Sequence, residues 1–206
     1  MGIFANPQEK QEDNKYGFKV LFLHGLEGSA QGSKSQHLKR EWAASSPSLR
    51  TAEMKALRVK CSGDWSSVDH DDIEEAMATP LQDAIDAVKY MKPDIIVGSS
   101  LGAAILYELY GKGIYSGAGV FLAPAIPSLT NSKNLKEYSQ KVSHHTTVWI
   151  LGEADYVVSN KDNLSIARLC QGNVMFSPGD SHRLEKGLES GLIDAAILTA
   201  FEISNH

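Results

Sequence analysis

Gly98-Ser99-Ser100-Leu101-Gly102 is the stretch of this sequence best suited to chemistry. It follows a β-branched run, Ile95-Ile96-Val97, and leads into Ala103-Ala104-Ile105. A serine that attacks a carbonyl carbon must stand at the tip of a tight strand-to-helix turn, with its Oγ exposed. Such a turn strains the backbone at Ser100, where a positive φ is expected. Side chains at positions 98 and 102 would collide with neighbouring backbone, so Gly98 and Gly102 are required. The helix start behind Ser100 offers N–H donors and a favourable dipole to a developing anion. A bare G-x-S-x-G arises by chance in roughly one chain in ten to fifteen of this size. The apolar strand before it, and the helical spacing of Leu101, Ile105 and Leu109 after it, lift it above that background.

A serine hydroxyl is a poor nucleophile near neutral pH and needs a base beside it, usually a histidine oriented by a carboxylate. Of the seven histidines, His182 is the best placed. It lies in Ser177-Pro178-Gly179-Asp180-Ser181-His182, a loop after the last expected strand. His144 and His145 precede a strand and belong at the opposite end of the sheet. His37 falls on a polar helix face, His70 in an acidic helix start that reads as a solvated cap, and His206 is terminal. For the carboxylate, Asp155 in Gly152-Glu153-Ala154-Asp155 sits on the turn after the fifth expected strand. Glu153 and Asp180 are the competitors; Asp94 precedes its strand. An oxyanion needs two N–H donors. Leu101, next after the nucleophile, supplies one. The other is expected from Leu26 in His24-Gly25-Leu26, the loop after the first strand. His24 reads as a residue that braces this loop.

The positions of these residues depend on the elements between them. Strands are expected at 19–23, 49–54, 94–98, 117–122, 146–151 and 173–176, the second being the weakest. Helices are expected at 35–44, from Asp71 with a division at Pro80, at 100–112, 135–142, 159–169 and 184–203, the last broken near Gly191. Strands alternating with helices imply a parallel sheet covered on both faces. In such sheets the ligand sits beyond the carboxyl ends of the strands. His24, Ser100, Asp155 and His182 each follow a strand, which places them at one edge.

Composition narrows the remaining possibilities. The chain has 206 residues, 42% apolar and 22% charged, with a formal net charge of −5. That suits one soluble domain, residues 17–206, after a polar arm at 1–16. No basic cluster argues for nucleic acid, and no apolar run is long enough to span a membrane. Two cysteines without metal-type spacing, and no secretory leader, suggest a reducing, cytoplasmic setting. Neither a metal nor a cofactor is expected.

With these residues assembled, the sequence resembles the α/β-hydrolase superfamily from about residue 18 to the end. Leu23-His24-Gly25 is similar to its oxyanion-loop motif, and Gly98-Ser99-Ser100-Leu101-Gly102 to its nucleophile elbow. Gly152-x-x-Asp155-x-x-Val158 resembles the acid loop and His182 the histidine loop, in the family's order. The resemblance is nearest to small bacterial carboxylesterases and thioesterases. It implies an α/β fold with a reduced six-stranded parallel sheet in the order 2-1-3-4-5-6, and a short cap segment at about 124–145 holding one helix at most. It also implies a Ser100–His182–Asp155 serine hydrolase whose partner is a small acyl ester or thioester. An amide or peptide hydrolase with the same residues, or a binding protein on the same fold, are the alternatives.

Overall fold

The computed structural model describes residues 16–205. Alternation along its strands sets the architecture. Val20 and Phe22 point into one apolar core while Leu21 and Leu23 point into another, and Val97 and Ile96 repeat the division. A strand buried on both sides in this way needs helices on both faces. The strands are β1 (Val20–Leu23), β2 (Ile95–Ser99), β3 (Ala118–Leu122), β4 (Thr147–Gly152) and β5 (Asn173–Ser177). All pairings are parallel, in the order β1-β2-β3-β4-β5.

On one face lie α1 (Ser33–Trp42), α8 (Glu185–Glu189) and α9 (Leu192–Ser204). The other carries α2 (Ala52–Lys60), α3 (His70–Met91), α4 (Leu101–Gly111), α5 (Ile126–Leu129), α6 (Ser132–Val142) and α7 (Asn160–Leu169). Asp194 ties α9 to α1, accepting from Trp42 Nε1 at 2.6 Å and bonding His37 Nε2 at 3.0 Å. His37 is therefore half-buried at a helix contact, not on an open polar face. Among the described residues, no helix is long and apolar enough to cross a membrane.

Several expectations are corrected. Among the described residues the sheet has five strands, not six, because 49–54 is not a strand. Residues 52–60 form α2 instead, built from Ala, Glu, Met, Lys and Leu, all good helix formers. Met54 and Leu57 turn inward at helical spacing. Beside β1 the chain makes a single parallel bridge at Ser45: Phe22 N–H donates to Ser45 O at 2.8 Å, and Ser45 N–H to Val20 O at 3.1 Å. Pro80 does not divide its region; α3 runs unbroken through it, with Asp69 rather than Asp71 as its cap. Residues 124–145 hold two helices, α5 and α6, where one was expected. His70 is not a solvated cap; its Nδ1 is buried. The break at Gly191 is present, with Gly191 at φ 75° between α8 and α9. The expected arm, residues 1–16, lies outside the described residues except for Tyr16.

Candidate active site

Ser100 joins β2 to α4 and holds φ 54°, ψ −110°. Backbone in that region is strained for a non-glycine residue and persists only where its surroundings fix it. Here β3 and the chain after it supply the fixing. Ser100 N–H donates to Leu122 O at 2.9 Å, and Ser100 O accepts from Ala103, Ala104 and Ala125 N–H. The two glycines of the motif are required by packing. A Cβ on Gly98 would lie 2.5 Å from Gly102 O, and a Cβ on Gly102 would run into Leu23 O at the end of β1. The absence of that second side chain lets the loop after β1 approach the elbow. Gly25 lies against it, at 3.2 Å from its Cβ position to Ser100 Cβ.

His182 and Asp155 come from the loops after β5 and β4. The two loops are laced together: Ala154 N–H donates to Asp180 O, Glu153 N–H to Ser177 O, and Gly179 N–H to the Glu153 carboxylate at 2.8 Å. Asp180 is 3% exposed. It accepts from Ser177 Oγ, Ser181 N–H and Gly187 N–H. Burial acts to raise its pKa, but those donors outweigh it and hold the carboxyl below the usual range. Glu153 and Asp180 are thus braces of the histidine loop, and the imidazole hydrogen-bonds Asp155 and Ser100 instead. Sequence reading weighed them as competitors and missed that role; Ser177 three residues before Asp180 was the available signal.

The loops bring three distant residues into one chain of hydrogen bonds. Asp155 Oδ2 stands 2.9 Å from His182 Nδ1, and His182 Nε2 stands 2.8 Å from Ser100 Oγ. Asp155 Oδ1 accepts from Val157 and Val158 N–H. Burial pushes its carboxyl up, but His182 and the two amides prevail and hold it below the usual value. An ionised carboxylate can only accept, so His182 Nδ1 carries the hydrogen. Nε2 is then left to accept from the Ser100 hydroxyl. This arrangement can take the proton of Ser100 as its oxygen attacks.

Among the described residues, neither Leu26 N–H nor Leu101 N–H has a hydrogen-bond acceptor. Leu101 is the first residue of α4, where amides lack intrahelical partners. Leu26 lies in the turn closed by Gly28 N–H to Gly25 O. His24, 4% exposed, braces this loop from below. Its Nδ1 donates to Gly25 O at 2.9 Å and its Nε2 accepts from Leu49 N–H at 3.2 Å. Both nitrogens are occupied by the neutral ring. Burial, aided by the charge of Lys55, lowers its pKa from 6.5 against the opposing Gly25 carbonyl.

A pH dependence follows. A histidine whose pKa is lowered by folding gives its full stabilising share above its unfolded value. That share is lost as pH falls through the lower folded value. The thermal midpoint should therefore fall as pH is lowered below about 7, and fall less in His24→Gln. His145, also lowered by burial, adds to the same slope in both proteins. An unchanged slope in the variant would refute this account of His24.

His144 and His145 lie at the far edge, as expected. They line a cavity of about 780 Å³ with Asp94 and Tyr115. Asp94 receives Lys19 N–H there at 2.7 Å. None of the residues around Ser100 reaches it.

Solved structures agree with the architecture. Est1E from Butyrivibrio proteoclasticus, in a structure with ferulic acid bound, is 13% identical, with a TM-score of 0.64 over 96% of this chain and 94% of that one. A chain described as a hydrolase of the alpha/beta superfamily, from Xanthomonas campestris pv. campestris, is 17% identical, with a TM-score of 0.61 over 88% and 96%. The thioesterase domain from the curacin biosynthetic pathway is 11% identical, with a TM-score of 0.59 over 90% and 93%. The protein has the α/β-hydrolase fold. No family model and no curated protein matches the sequence. At such identities the likeness carries the fold alone.

Proposed function

We propose that this protein is a serine hydrolase of carboxylic esters or thioesters with small to moderate acyl groups. The observation that carries the reading is the hydrogen-bonded series Asp155–His182–Ser100, ending on a serine held at positive φ. Ser100 Oγ attacks the acyl carbon as His182 Nε2 takes its proton. The new oxyanion is held by the N–H groups of Leu26 and Leu101. The intermediate collapses, His182 returns the proton to the leaving oxygen or sulfur, and the acyl group stays on Ser100. Water then gives a proton to His182 as it attacks the same carbon, and the C–Oγ bond breaks as His182 returns that proton to Ser100 Oγ, freeing the acid. Asp155 keeps the ring in its tautomer and stabilises the imidazolium formed in each half.

Esterase and thioesterase neighbours at the level of fold support a small-molecule substrate. The two free cysteines, with Cys170 buried and its thiol pushed up to about 12, suit a cytoplasmic setting.

Chain length on the acyl side tests the proposal. The segment after β3 is short, and α5 offers Ile126 and Leu129, both already buried. Each added CH₂ gains about 0.8 kcal/mol only while protein covers it. In a series of esters from acetyl to palmitoyl, kcat/KM should rise over the first few carbons and then level or fall. A maximum at about twelve carbons or more would overturn the size assignment. Absence of turnover on every ester and thioester would overturn the function.

A further inference from the structure

Asp155 and Tyr156 are neighbours in sequence and opposites in exposure. The carboxyl side chain of Asp155 is 0% exposed. Tyr156 is 94% exposed and Val157 65%, while Val158 turns back into the core. The turn that carries them is fixed. Asp155 Oδ1 accepts from Val157 N–H at 2.8 Å and from Val158 N–H at 3.1 Å, and Asp155 N–H donates to Gly152 O at 3.1 Å. Asn160 Nδ2 donates to the same carbonyl at 2.8 Å. With two amides turned onto the carboxylate and Val158 inside, the side chains of Tyr156 and Val157 are held out in solvent. Among the described residues, neither the hydroxyl nor the ring of Tyr156 has a partner.

Turn tips ordinarily carry glycine, asparagine, aspartate or serine. A single exposed apolar residue needs no cause, but these two are adjacent and stand on the loop that orients His182. The hydrogen-bonded series bounds their distance from the nucleophile. From Val157 N through Asp155 and His182 to Ser100 Oγ it passes bonds of 2.8, 2.9 and 2.8 Å. With the widths of a carboxylate and an imidazole added, Val157 N lies within about 13 Å of Ser100 Oγ. An ester of an aromatic alcohol spans that interval.

We propose that Tyr156 and Val157 set specificity on the leaving-group side, favouring alcohols or thiols that carry an aromatic body. This deepens the serine-hydrolase reading and rests on it. Direction selects the leaving group. The oxyanion turns toward the N–H groups of Leu26 and Leu101. His182 Nε2 must hand its proton to the leaving atom, which therefore lies against the imidazole. The imidazole side chain is 18% exposed, so it is reached from solvent. A body that extends from the leaving atom along the ring, from Nε2 toward Nδ1, runs toward the Asp155 turn. There the Tyr156 ring offers a face for stacking and Val157 an apolar edge.

The test compares butyrate esters of ethanol, 1-butanol and 2-phenylethanol, whose leaving oxygens differ little in basicity. In wild type, kcat/KM for the 2-phenylethyl ester should exceed that for the ethyl ester by about tenfold or more. Tyr156→Ser should bring that ratio toward unity, and Val157→Ser should lower it less. Tyr90→Ser, at an exposed site on α3, is the control and should leave it unchanged. Deacylation of the shared butyryl-enzyme separates recognition from structure, because the alcohol has then departed. Loss of leaving-group contact slows acylation alone, whereas a disturbed Asp155 turn slows both steps. A wild-type ratio at or below unity would overturn the proposal. So would a ratio unchanged in both variants, or acylation and deacylation slowed alike. A fluorophosphonate probe reads the hydrolase assignment separately. Should no ester be turned over, 2-phenylethanol is titrated by NMR into wild type and Tyr156→Ser. Shifts at the amides of Tyr156 and Val157 that the variant loses keep the proposal; their absence in wild type, or their persistence in the variant, overturns it.

Discussion

Ser100→Ala is expected to lower kcat about a millionfold while leaving the thermal midpoint almost unchanged. The two halves of that expectation come from different atoms. Activity depends on Oγ, whose hydrogen-bond partner is His182 Nε2. The fold depends on the backbone of residue 100, which β3 and the start of α4 pin through Leu122 O and the amides of Ala103, Ala104 and Ala125. Alanine keeps the backbone bonds and bears the same strain at φ 54°. A fluorophosphonate probe adds an independent readout, because it marks an activated serine without requiring the right substrate. It should label wild type at Ser100 and leave the variant unlabelled. Near-normal turnover in a folded variant, or labelling at another residue, would remove Ser100 from the mechanism.

Asp155→Asn is expected to cost about ten-thousandfold in kcat. The carboxylate accepts from His182 Nδ1, which leaves Nε2 free to take a proton. An amide nitrogen at that position donates instead and favours the tautomer with hydrogen on Nε2, which cannot accept from Ser100. The two neighbouring carboxylates are the controls. Glu153→Gln disturbs one bond to Gly179 N–H, and Asp180→Asn disturbs three inside the histidine loop. Both should lower the thermal midpoint, Asp180→Asn more, and both should spare kcat relative to Asp155→Asn. A loss in either control equal to that in Asp155→Asn would show that the orienting carboxylate was misassigned. Asp155 also contributes to pH stability with the usual carboxylate sign. Its folded pKa is depressed, so its share is present above the unfolded value and lost as pH falls through the folded one.

Sequence made the middle of this molecule legible because its signals there are local. Ile95-Ile96-Val97 can hardly be anything but a buried strand, and the glycines at 98 and 102 announce a tight turn. Asp155 and His182 could be chosen from many acids and histidines because each follows a strand, and parallel sheets gather such residues at one edge. The edge of the sheet was less legible. Residues 52–54 belong to a helix-forming run that overrode the weakest of the expected strands, and the bridge at Ser45 leaves no pattern in sequence. Pro80 misled in the opposite sense. A proline suggests a helix boundary, but the apolar face from Ile73 to Met91 buries enough surface to carry α3 through the lost hydrogen bond.

The one-residue bridge at Ser45 has a consequence larger than its two hydrogen bonds. In open parallel sheets, a ligand crevice forms where strand order reverses, because the loops on either side of the reversal leave toward opposite faces. The order β1 to β5 contains no reversal. The chain nevertheless leaves β1 toward α1 on one face, touches the outer side of β1 at Ser45, and only then crosses to α2 and α3 on the other. After β2 it departs at once toward α4 on that second face. The chain segments that follow the Leu26 and Ser100 loops therefore run to opposite faces from adjacent strands, and that parting comes from topology alone. A single paired residue suffices here, since that parting depends on where the chain crosses and not on how many residues pair along the way.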